Sequence, residues 1–146
     1  MQGVGGISTI HFTDLSHGWL SFEQGDSMGR DQASIYQTGD GGRTWQKISV
    51  TENIKGGTIL SIGIKTGVTF TNDNNGWLTG YTYAHGILYL YRTTDDGHLW
   101  SKQPISLPPR LHQAQLASYP PVFFNQMDGV LPVEVFLGAP HSLSYQ

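Results

Sequence analysis

The stretch "TGDGGRTW", residues 38–45, packs a carboxylate, three glycines, an arginine and a tryptophan into the length of one turn. Such a set could serve chemistry, or it could simply close a hairpin. A second copy bears on the choice. "TTDDGHLW" at 93–100 keeps the frame, so that Thr38, Asp40, Gly42 and Trp45 are answered by Thr93, Asp95, Gly97 and Trp100, while Thr44 is answered by Leu99. A feature that recurs in each unit of a repeat is architecture before it is catalysis. The residue types suit that role: the Asp accepts from nearby backbone N–H groups, the Gly takes positive φ at no steric cost, and the Thr hydroxyl bonds locally. The Trp at the exit opens the next strand with an apolar surface of about 150–250 Å².

A longer frame surrounds the two turns. "FTDLSHGWL" begins at Phe12, "FTNDNNGWL" begins at Phe70 and "FNQMDGVL" follows Phe123, so Gly18, Gly76 and Gly129 each stand six residues after a Phe. Trp19 and Trp77 follow the first two glycines, and Val130 follows the third. The frames recur at about 50 to 60 residues, somewhat more than the 40–45 of a WD40 blade. Short apolar runs between turn signals predict strands at 7–12, 18–22, 33–37 and 45–49 in the first unit. The second predicts 66–70, 76–83, 86–92 and 100–104, and the third 118–124, 129–136 and 142–146. Tyr36-Gln37 precedes Thr38, Tyr91-Arg92 precedes Thr93, and the chain ends on Tyr145-Gln146. The sequence therefore reads as cut just before a third Asp-containing turn.

Composition agrees with strands joined by tight turns: the chain has 146 residues, 19 glycines and 12% aromatics. Only 13% of residues are charged, the net charge is -3, and no basic stripe exists to meet a phosphate backbone, which excludes nucleic acid as a partner. No apolar run reaches the length of a membrane span. Cysteine is absent, so disulfides and thiolate chemistry are excluded. The six histidines show neither H-x-H nor H-E-x-x-H spacing, and "NDNNG" at 72–76 lacks the acidic residue that completes a calcium loop. No metal or cofactor is expected.

The two Asp-containing turns and the Phe–Gly–Trp element together resemble the Asp-box, or BNR, repeats of sialidase-like and sortilin-like β-propellers. The Phe–Gly–Trp element is most similar to the branch that includes the photosystem II assembly factor and related bacterial propellers. The resemblance covers nearly the whole chain. It implies an all-β fold: a partial β-propeller of about two and a half four-stranded antiparallel blades, cut from a longer chain. Blade one would cover about 1–55, blade two about 56–110, and an incomplete blade three about 111–146. It further implies that the Asp turns are structural, and that many such proteins are exported or lie in the cell envelope.

Sialidases of this superfamily use an arginine cluster, a tyrosine nucleophile and acidic partners, a set that cannot be matched on Arg30, Arg43, Arg92 and Arg110. The expected function is a non-enzymatic binding or assembly platform. The alternative is a piece of a sialidase-like or xyloglucanase-like glycoside hydrolase whose catalytic residues lie elsewhere. The expected partner is a protein or a second copy, held through uncovered blade faces, because a blade cannot bury both faces alone. Carbohydrate is less favoured, since all four tryptophans occupy repeat positions and none is left as a sugar platform. In an up-and-down sheet the Asp turns share one end with the Phe–Gly turns. Ligand contacts are then expected from loops at the opposite end: Glu23, Asp26, Arg30, Asp31, His85, Arg110 and His141.

Overall fold

Alternating apolar residues bounded by glycine-rich turns fold into antiparallel strands, and a computed structural model describes residues 6–26, 31–51 and 57–138. In the first unit, β1 (Gly6–Phe12), β2 (Gly18–Asp26), β3 (Asp31–Thr38) and β4 (Gln46–Val50) form one sheet in the order β1-β2-β3-β4. In the second, β5 (Ile64–Phe70), β6 (Gly76–His85), β7 (Tyr89–Thr93) and β8 (Ser101–Lys102) repeat that meander. The third unit has two interrupted strands: β9 (Gln115–Ser118) continuing to β10 (Val122–Phe123), and β11 (Gly129–Val130) continuing to β12 (Val133–Phe136). The fold is all-β, and these antiparallel units make a partial β-propeller.

The three units agree in register as well as in order. Phe12 pairs with Gly18, Phe70 with Gly76 and Phe123 with Gly129. Pairing then slips by one residue between Ile7 and Thr9, between Lys65 and Gly67, and again between the pairs Val122↔Val130 and Ser118↔Val133. A bulge at one fixed place bends each first strand and strengthens its twist.

Expected and observed strands part where the backbone cannot make the ladder. The run 118–124 is broken because Pro120 and Pro121 have no N–H to give, and 129–136 is broken at Pro132. The strand expected at 86–92 starts only at Tyr89: Gly86 turns with φ +67 and donates its N–H to Ala114 O. The segment 142–146 lies outside the described residues. The third unit also joins the second by backbone pairing, Tyr81↔Ala117 and His85↔Gln115, where β6 runs on past β7. At that fork the Ser118 hydroxyl lies within hydrogen-bond reach of Gly80 O and Tyr89 O, which share its one proton, and accepts from Gly80 N.

The core lies between the first and second sheets. Trp19 and Ile35 of the first meet Val68, Phe70, Leu78, Tyr89 and Trp100 of the second, with Ile59 between. Hydroxyls cross between units: Val68 N donates to Thr9 Oγ1 of the first unit at 2.8 Å, and Thr66 Oγ1 donates to Ser118 O of the third at 2.6 Å. The first strands of the three units therefore sit side by side, and their Phe ends point to one end of the molecule.

Candidate binding surfaces

Both Asp-containing turns close by the same bonds. Thr38 Oγ1 donates to Asp40 Oδ1 at 2.8 Å and accepts from Gly42 N at 2.9 Å, while Asp40 Oδ1 accepts from Thr44 N at 2.9 Å. Thr93 Oγ1, Asp95 Oδ1, Gly97 N and Leu99 N repeat this at 2.8, 3.0 and 2.9 Å. Trp45 Nε1 donates to Gly42 O and Trp100 Nε1 to Gly97 O, so each indole folds back over its own turn. Gly42 and Gly97 hold φ of +86 and +88.

One bond differs: Thr44 Oγ1 donates to Asp40 Oδ2 at 2.6 Å, and Leu99 has no hydroxyl to match it. The Thr44 hydroxyl, followed by the Thr44 amide and the Thr38 hydroxyl, holds the Asp40 carboxyl down at about 2. A depressed carboxyl favours the folded state above its unfolded value of roughly 3.9, and that advantage is lost as pH falls through about 2. The Thr44 amide resonance should therefore titrate near pH 2 by NMR, and in Thr44→Val its midpoint should move up toward the ordinary carboxylate range.

The Phe–Gly turns repeat as closely. Asp14, Asn72 and Asn125 stand two residues after their Phe. Each side-chain oxygen accepts two backbone N–H groups: Ser16 and His17, Asn74 and Asn75, Met127 and Asp128. These turns dock on the Asp turns, with Gly41 N donating to Ser16 O and Asp96 N to Asn74 O. Asp14, His17 and Asp73 bring potential metal-ligand atoms within 4.8 Å of one another. Asp14 there serves the turn and accepts from His17 Nδ1 at 2.8 Å, and Thr13 Oγ1 donates to Asp73 across the two units. His17 raises its own affinity for a proton by that bond, and Asp14 is held at about 2 by it.

Next to these turns the Phe ends of the three first strands enclose an open groove of about 570 Å³. Its walls are the Phe12, Phe70 and Phe123 corners together with Pro120, Pro121 and Phe124, and among the described residues no Asp, Glu, Lys or Arg lines it. His11, at its edge, is pushed below its ordinary pKa by burial, against an opposing backbone hydrogen bond at Phe70.

Of the residues expected to contact ligand, those that are described fall at the other end of the sheets. Glu23 is half-buried on β2, and Asp26 and Asp31 are backbone partners closing the β2–β3 ladder. His85 ends β6, exposed, and Arg110 sits exposed in a 3-10 turn, Pro109–Leu111. Gly86 N bonding to Ala114 O, and His85 pairing with Gln115, bring the His85 and Arg110 segments to the same end. Arg30 and His141 lie outside the described residues.

What the charged residues did not signal is an apolar pocket of about 420 Å³ at that end of the second unit, lined by Leu60, Ile62, Tyr83, Ile87, Tyr89 and Tyr91 among others. Ile62 and Tyr83 are 50% and 64% exposed. The signal was present in "YTYAHGILYLY", 81–91, which carries more aromatic and aliphatic residues than one buried face requires.

No family model and no curated protein matches the chain. Among solved structures, one described as "YCF48 bound to D1 peptide" is similar at 15% identity, with a TM-score of 0.36 over 80% of this chain. The chain spans 49% of that protein's length.

Proposed function

We propose that this chain is part of an Asp-box propeller and acts as a non-enzymatic protein-binding platform, with blades over about 1–55 and 56–110 and an incomplete one over about 111–146. The matched bonds of the turns at 38–45 and 93–100 support the Asp-box assignment. The observation that carries the function is the pocket at the loop end of the second unit. Its aliphatic and tyrosine walls suit an apolar peptide segment with a few hydroxyl contacts, the usual composition of a peptide-binding cleft. Lys102, also in its lining, offers a single charge at the rim.

Panning a random peptide library on the immobilised chain should enrich peptides rich in apolar and aromatic residues. Ile87→Asp should weaken a selected peptide by about tenfold or more in fluorescence anisotropy, equivalent to about 1.4 kcal/mol. Turnover on a panel of aryl glycosides, abolished by one carboxylate substitution, would instead establish the hydrolase reading.

A further inference from the structure

Each boundary between units is closed by an aromatic pair of fixed polarity. Trp19 of the first unit stacks on Phe70 of the second, with ring centroids 4.0 Å apart and planes at 11°. Trp77 of the second unit lies on Phe123 of the third, at 4.6 Å and 38°. The indole always comes from the residue after the repeat glycine, and the phenyl ring from the unit that follows. Phe70 is then held on its other side by its own unit's Trp100, edge-on at 6.2 Å.

Phe12 has half of this arrangement. Its own Trp45 meets it edge-on at 6.0 Å and 76°, the counterpart of Trp100 on Phe70. Among the described residues no indole stacks on it as Trp19 stacks on Phe70, and Phe12 is 40% exposed where Phe70 is 3%. The polar companion is also in place. Trp19 Nε1 donates to the carbonyl of Asp96, which has φ 67, and the residue at that turn position in the first unit is Gly41, with φ +73. Gly41 thus offers an equivalent carbonyl beside an uncovered phenyl face.

From this repeat we infer that Phe12 and the Gly41 carbonyl form a socket for the indole of a tryptophan on a partner repeat unit, one carrying Gly-Trp at the start of its second strand. The inference deepens the platform reading, on which it rests, at a second surface. A second copy of this chain does not supply the indole. Its four tryptophans are already seated: Trp19 on Phe70, Trp77 on Phe123, and Trp45 and Trp100 on their own turns. The third unit presents Val130 where the first two present Trp. The partner is therefore a different unit of the same kind. Offset stacking and one N–H···O bond give the socket its preference for indole over an aliphatic side chain.

The test is an NMR titration of the isotopically labelled chain with N-acetyl-tryptophanamide as probe and N-acetyl-leucinamide as control. At millimolar probe, the Phe12 ring protons should shift upfield and the Gly41 and Gly42 amides should move with them. The leucine amide should shift these resonances at least tenfold less, and Phe12→Leu should abolish the response. Shifts centred on Pro120–Phe124, or equal shifts with both amides, overturn the socket. Should Phe12→Leu not fold, the wild-type map decides alone. Peptide binding at the Tyr83 pocket is read on different residues, so the two proposals fail separately.

Discussion

Trp19→Ala is expected to lower the unfolding free energy by about 3–5 kcal/mol, the range for truncating a fully buried large aromatic. Trp19 has no solvent exposure and belongs to the cluster that joins the first two sheets. Alanine there empties the space over Phe70, removes a stacked ring pair worth about 0.5–1.5 kcal/mol beyond its buried area, and leaves Asp96 O without its indole donor. Collapse into the gap is resisted because Ile35, Val68 and Leu78 around it are held in ladders of both sheets. The measurement is urea unfolding followed by far-UV circular dichroism, with a lower midpoint at unchanged slope. Val130→Ala, at the equivalent position of the third unit, should change stability by no more than about 0.5 kcal/mol, since Val130 is half-exposed. A loss below about 1 kcal/mol for Trp19→Ala would show that the Trp–Phe seam is not what binds the sheets.

That contrast between two equivalent positions marks how far the sequence could be read. The repeat of Phe, Gly and Trp is a local pattern, and local hairpin chemistry fixed it in space: each Phe pairs with its glycine, and each Asp or Asn two residues on caps the turn. Strand order and the end shared by the two turn types followed from up-and-down alternation. Stacking between units was not legible, because the residues that meet, Trp19 and Phe70 or Trp77 and Phe123, are about fifty residues apart along the chain.

The apolar pocket was not read from the sequence for a different reason. Charge and loop position singled out Glu23, His85 and Arg110, whereas the pocket at that end is built from Ile62, Tyr83 and Ile87. The surplus of apolar residues over 81–91 was legible, but only packing shows which of those side chains find no neighbour to cover them. The joining of β9 to β6 was likewise invisible. It depends on β6 outrunning β7, which the Gly86 turn imposes.

The substitution Gly76→Ala should cost about 3 kcal/mol, at the top of the range for forcing a methyl group into a filled core, whereas Gly18→Ala should cost under about 1 kcal/mol. Both glycines lie beneath the ring of the Phe paired with them, and an added Cβ would stand 2.6 Å from Phe70 Cε1 in one case and 2.7 Å from Phe12 Cδ1 in the other. The clash is the same; the freedom to relieve it is not. Phe70 is held between the Trp19 face and the Trp100 edge, with Gly97 against its tip, so its ring can yield only by moving the seam between sheets. Phe12 has an exposed face toward which it can swing, away from Trp45.

A double-mutant cycle separates ring clash from any intrinsic cost of alanine in the strand. Phe70→Leu should be clearly destabilising in the wild type and cost much less in the Gly76→Ala background, because the leucine removes the atoms that the new methyl strikes. Equal losses at the two glycines, or additive effects in the cycle, would mean that the ring-on-glycine contact does not explain why glycine stands at these positions.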